Sequence, residues 1–147
     1  MSRLDEIGER DGWRCWLCDE PVDPDMSVND PRGPSIDLRT TKAKAKKKGA
    51  TDERLAHRGC NTGKGANDPV VPWPEYLFVV DPAPIIAAVE RLERKGGREV
   101  MARCPTADDA DEVAAWLEDR VSRLAPGLGA RAEVEAGGGQ HLVALRA

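Results

Sequence analysis

The chain has 147 residues, with 40% hydrophobic, 33% charged and only 4% aromatic residues, and a formal net charge of −4. So few aromatics exclude a large aromatic core and point to a small fold that needs a staple, such as a metal or a disulfide. No stretch approaches the ~20 apolar residues of a membrane helix, and the acidic start MSRLDEIGERDGW lacks the apolar core of a secretory leader, so the expected setting is cytoplasmic, with no membrane partner.

Along the chain, Ser2 is a helix cap before LDEIGER, and Gly12 stops that helix. A Cys15-x-x-Cys18 turn follows, flanked by Trp13 and Trp16. Residues 22–35, rich in Pro, Asp, Asn and Gly, read as loop, and SIDLRT reads as a short strand. Residues 42–51 form a lysine-rich loop, and ERLAHRGCNTGKG then places His57 and Cys60 one turn apart on an expected short helix. Gly65 and the prolines at 69, 72 and 74 mark a boundary. We therefore divide the chain into residues 1–68, a Pro-rich linker over 69–80 and a second domain over 81–147.

The second domain reads more regularly. Asp81, Pro82 and Pro84 open a helix through IIAAVERLERK that ends at Gly96-Gly97. REVMARC alternates as a strand, and Thr106 with Asp109 forms an expected capping box for ADDADEVAAWLEDRVSRLA. RAEVEA and HLVALRA, joined through Gly137-Gly138-Gly139, read as a hairpin. This order implies a small α+β domain, an antiparallel sheet with helices on one face. Trp73 and Trp116 are expected in its core, the latter with Val113, Leu117 and Val121.

Charge is distributed unevenly. Residues 39–64 hold nine Lys or Arg against two acids, a local balance of +7, whereas residues 73–147 are net −4. A basic working surface beside an acidic companion is the expected arrangement.

Cys15-x-x-Cys18 and His57-x-x-Cys60 are two hooks, each able to grip an ion from one turn of chain, and together they supply the four ligands of a tetrahedral structural Zn²⁺ site. A redox pair is disfavoured because no βαβ context surrounds the first hook. Cys104 reads as a small buried hydrophobe and His141 as a packing or surface residue.

WRCWLC, PSIDLRT and LAHRGCNTGKG, in that order, resemble the HNH endonuclease family, the ββα-metal nucleases, over about residues 12–66. The zinc pairs, the Ile36-Asp37 strand, the twenty-residue step from Asp37 to His57 and the ending Cys60-Asn61-x-x-Lys64-Gly65 carry the likeness. The resemblance implies a ββα-metal unit acting on DNA, with RNA left open, that hydrolyses phosphodiester bonds with a divalent ion. It implies that Asp37 and Asn61 hold that ion, Mg²⁺ or Mn²⁺, and that Asp52 stands where the family's middle Asn is expected. It also exposes one departure: Leu38 occupies the position of the family's catalytic His.

Leucine cannot take a proton, and losing a general base costs ~10²–10⁴ in rate. Cleavage is therefore expected to be impaired. The His is naturally absent or was replaced by an inactivating substitution, or Asp52 serves as a weak base. Lys42, Lys44, Lys46, Lys47 and Lys48, extended by Arg58 and Lys64, are the expected phosphate contacts. The rival readings are a zinc-dependent nucleic-acid-binding module that never cleaves, and an interaction protein in which zinc is only scaffold. The second domain is the expected site of a protein partner or of self-association.

Overall fold

The computed structural model describes residues 2–39, 53–65, 67 and 69–147. The chain is mixed α+β and forms two compact units, Met1–Pro69 and Val70–Ala147. No helix among the described residues is long and apolar enough to cross a membrane.

The first unit begins with α1, Arg3–Arg10. Ser2 Oγ accepts the Asp5 N–H at 3.1 Å while the Asp5 carboxylate accepts the Ser2 N–H at 3.2 Å, which satisfies orphan donors at the helix start. Ile7 is the helix's buried apolar anchor. Gly8 admits the ring of Trp13, since a Cβ there would stand 2.4 Å from its Cη2.

Where α1 ends, Asp11 ties it to the following sheet. Its carboxylate accepts from the Leu55 N–H at 2.8 Å, Arg54 Nε at 3.1 Å and Arg10 Nε at 3.0 Å. Burial opposes the charged carboxylate, but the Arg10, Leu55 and Arg54 donors outweigh it and hold Asp11 below the usual carboxylate range.

A tight turn follows, closed by a bridge between Arg14 and Pro21, with Asp19 in the left-handed region at φ 65°. Strands β1, Pro34–Leu38, and β2, Glu53–His57, then pair antiparallel, with Ile36 opposite Leu55 and Asp37 opposite Arg54. Helix α2, Arg58–Lys64, leaves β2 directly.

His57 is thus the last residue of β2 and stands at the cap position of α2, with Cys60 alone inside the helix. This corrects the expectation that both lie on the helix. The β-branch-poor run ERLA is held as a strand by its pairing to β1, a tertiary effect that local propensity does not show.

The second unit contains α3 (Ile85–Lys95), β3 (Arg98–Cys104), α4 (Ala107–Leu124), β4 (Arg131–Gly137) and β5 (Gln140–Arg146). The sheet is antiparallel in the order β3-β5-β4. Gly138 and Gly139, at φ 59° and 76°, supply the two positive-φ residues of the tight β4–β5 turn.

Helix α4 packs on all three strands and α3 on β3. Val89, Leu92, Val113, Leu117, Val121, Val143 and Leu145 are buried. Trp73 and Trp116 are half-buried rather than core, their rings tilted against each other with centroids 5.4 Å apart. Thr106 Oγ1 caps α4 by accepting the Asp109 N–H at 3.0 Å. The Asp109 carboxylate takes the Thr106 hydroxyl at 2.7 Å, so the return half of the expected capping box is a side-chain bond. At the outer edge of β4, the Ala132 N–H donates to Glu118 Oε2 at 3.0 Å, and Arg131 pairs with Glu118 at 3.2 Å.

Candidate metal centre

Cys15, Cys18, His57 and Cys60 converge, with one ligand atom from each lying within 4.8 Å of all the others. The turn presents Cys15 and Cys18 through its own backbone: Cys15 N–H donates to Glu20 O at 2.9 Å and Asp19 N–H to Cys15 O at 2.8 Å. The Trp16 N–H donates to Leu55 O at 3.0 Å, which fixes the turn on β2. The strand-to-helix junction presents the other two ligands.

The histidine's orientation decides which nitrogen faces the thiols. Nδ1 lies 3.3 Å from Cys18 Sγ and 3.8 Å from Cys60 Sγ. Nε2 lies 2.9 Å from Pro21 O, so Nε2 carries the hydrogen and Nδ1 keeps its lone pair for an ion. In a tetrahedral zinc site with Zn–S near 2.3 Å and Zn–N near 2.0 Å, ligand atoms stand about 3.6–3.8 Å apart. The two Nδ1–Sγ separations, 3.3 and 3.8 Å, lie to either side of that size. The His57 N–H also points at Cys15 Sγ, 3.4 Å away, a contact suited to a thiolate.

Without an ion such crowding penalises charge. Burial, with Cys15 beside it, raises Cys18 against the lowering hydrogen bonds of the Glu20 backbone and Cys60, and burial, then Cys15 and Cys18, push Cys60 up to about 12. A dication compensates three converging thiolates, so the donor set is compatible with structural zinc.

The residues expected to hold a second, divalent ion are arranged differently. Asp37 is buried, and its carboxylate is already surrounded. Trp16 Nε1 donates to Oδ2 at 3.1 Å, the Leu38 N–H donates to Oδ1 at 2.8 Å, and Lys64 Nζ lies 3.0 Å from Oδ1. Lys64 Nζ also donates to Leu38 O at 3.1 Å and stands 5.8 Å from the centroid of the Trp16 ring. Asn61 turns its amide Nδ2 toward β1, donating to Ser35 Oγ at 3.3 Å and Ile36 O at 3.2 Å. An ion bound by Asp37 would have to displace an ammonium already in place. As arranged, both Asp37 carboxylate oxygens already have hydrogen-bond or ion-pair partners.

Leu38 follows Asp37 at the end of β1 and is half-buried. Asp52, Lys42, Lys44, Lys46, Lys47 and Lys48 lie outside the described residues. Arg58 and Lys64, expected on the basic surface, turn inward. Arg58 donates to Asp30 O at 3.2 Å and Pro34 O at 3.0 Å, and the Lys64 side chain is only 11% exposed. Arg39 and Arg54 are buried as well. Sequence reasoning missed the Lys64–Asp37 pair and the Trp16 indole bond. A signal for the first was present: Cys60, Asn61 and Lys64 share one face of a helix by their three- and four-residue spacing.

Cys104 is buried in β3 and lies outside the cluster. The class defined by fold and site is an α+β protein with a Cys₃His cluster that can hold a zinc ion. No family model, curated protein or solved structure matches the chain.

Proposed function

We propose that residues 1–69 are a zinc-stapled, HNH-like DNA-binding unit that no longer cleaves phosphodiesters. The observation that carries this reading is the Cys₃His cluster joined to a β1-β2-α2 unit in which Leu38 follows Asp37. The strand-strand-helix order and the order of the four candidate ligands support this reading. Cleavage needs a group that activates water and a cation that takes up charge on the phosphate. Leu38 supplies no base, and Asp37 is paired with Lys64.

DNA affinity in this reading comes from Lys42, Lys44, Lys46, Lys47 and Lys48. The described basic residues of the same segment, Arg39, Arg54, Arg58 and Lys64, are turned to structural work. Such contacts give binding without base readout and with a steep salt dependence.

The test combines plasmid nicking with a gel shift, each with Mg²⁺ or Mn²⁺. The expected result is a salt-sensitive shift and no nicking by the natural chain. Nicking by the chain as it stands overturns the non-cleaving assignment, and Asp52 is then the first base to replace. No shift at low salt overturns DNA binding and favours the scaffold reading, in which the second unit carries the interaction.

A further inference from the structure

We infer that Lys64 is the resident cation of the would-be catalytic site, holding the place at Asp37 that an HNH-like reading gives to a divalent ion. The inference rests on that reading for what the position means, and on the observed contacts for what fills it.

The ammonium is fixed from three sides. It pairs with Asp37 Oδ1 at 3.0 Å, donates to Leu38 O at 3.1 Å and lies beside the Trp16 ring at 5.8 Å from its centroid. Asp37 is buried and Lys64 is largely covered, with side chains 6% and 11% exposed. A buried ion pair of this kind resists the loss of either partner, because the survivor is left as an uncompensated buried charge. The other carboxylate oxygen is held by the Trp16 indole, and Trp16 belongs to the turn that carries Cys15 and Cys18.

The pairing therefore couples the two halves of the site. Cys60 and Lys64 sit one turn apart on α2, so the helix that ligates the zinc cluster also delivers the ammonium. Asn61 between them donates its amide hydrogens from Nδ2 to Ser35 Oγ and Ile36 O. A Mg²⁺ or Mn²⁺ ion needs open oxygen ligands, and at Asp37 Oδ1 it competes with an ammonium of like sign. The natural chain should not bind a divalent ion at Asp37, and restoring a histidine at position 38 should not by itself restore cleavage.

The experiment uses the zinc-loaded full chain with Mn²⁺ as the probe. Paramagnetic broadening of the Trp16 indole N–H resonance reports directly on Asp37 Oδ2, because that proton is bonded to it. The natural chain should show no selective broadening of this resonance at millimolar Mn²⁺. Lys64→Met should gain one Mn²⁺ equivalent by electron paramagnetic resonance, broaden the indole resonance, and lose both effects in Lys64→Met/Asp37→Asn. Selective broadening in the natural chain overturns the inference, and needs no variant to fold. A folded Lys64→Met that gains no Mn²⁺ also overturns it.

Leu38→His/Lys64→Met separates the two claims. If it binds Mn²⁺ and nicks plasmid while Leu38→His alone does not, both stand. If it binds Mn²⁺ and does not nick, the lysine inference stands and the HNH-like reading falls.

Discussion

His57 Nε2 lies 2.9 Å from the carbonyl oxygen of Pro21, and this one contact decides that Nδ1 faces Cys18 and Cys60. Pro21 is the residue that closes the cysteine turn against Arg14. The turn that supplies two ligands therefore also aims the third.

Removing zinc should dismantle the first unit. Structural zinc in small domains contributes about 10–16 kcal/mol of apparent binding energy, and that energy is folding energy. Chelation should abolish the near-ultraviolet signal of Trp13 and Trp16 and the melting transition of residues 1–69. A chelated, metal-free sample that keeps both would contradict the staple. Exchanging His57 for Cys should preserve zinc and stability better than His57→Ala, because it restores a fourth ligand. Circular dichroism with metal analysis checks the ranking.

Gly8→Ala should destabilise the first unit by ~1–3 kcal/mol, the usual cost of overpacking. The new methyl would stand 2.4 Å from the Trp13 ring, which must shift or leave the helix. Alanine's better helix propensity offsets only ~1 kcal/mol of this. Urea unfolding followed by tryptophan emission measures the difference, and an unchanged midpoint would mean that the ring moves at no cost.

Asp11→Asn should cost ~1–3 kcal/mol at neutral pH, since it weakens charged hydrogen bonds from two arginines and a backbone N–H. The sign of the pH dependence follows from the lowered folded-state pKa. A depressed carboxylate contributes stability that is complete above its unfolded value, 3.8, and is lost as pH falls through the folded value. The gap between the natural chain and Asp11→Asn should therefore be constant from pH 8 to pH 5. A gap that narrows within that range would show that Asp11 is not held as a carboxylate.

Replacing Lys42, Lys44, Lys46, Lys47 and Lys48 by Gln should remove most DNA affinity and flatten its salt dependence. Five neutralised phosphate contacts would reduce the slope of log K against log salt by about 4–5. Arg58→Ala should act instead on stability, because its guanidinium serves the carbonyls of Asp30 and Pro34. Gel shifts at two salt concentrations, beside melting curves, separate the roles. A large affinity loss with unchanged melting for Arg58→Ala would place it at the phosphate backbone.

Much of the second unit was legible because its cues are local. Gly96-Gly97, Thr106 and the Gly138-Gly139 turn each punctuate the chain where an element starts or stops, and period-two and period-3.6 patterns fill the gaps. The cysteine and histidine hooks were legible for the same reason, as ligand chemistry constrains spacing. The strand character of Glu53–His57 was less so, since Glu, Arg and Ala are weak strand formers and only pairing with β1 decides it. The Lys64–Asp37 pair escaped because its partners are far apart in sequence and each residue type is ordinarily exposed. Charge counting placed Arg58 and Lys64 on the surface; carbonyl and carboxylate acceptors drew them inward.

The carboxylate of Glu118 at the rim of β4 bears on how copies of this chain behave in a crowded solution. An edge strand invites another strand to add to it, and each unclaimed N–H is a point of attachment. By taking the Ala132 N–H and drawing Arg131 alongside, Glu118 closes one end of that row with a negative charge. A strand approaching there meets an acid instead of a free donor.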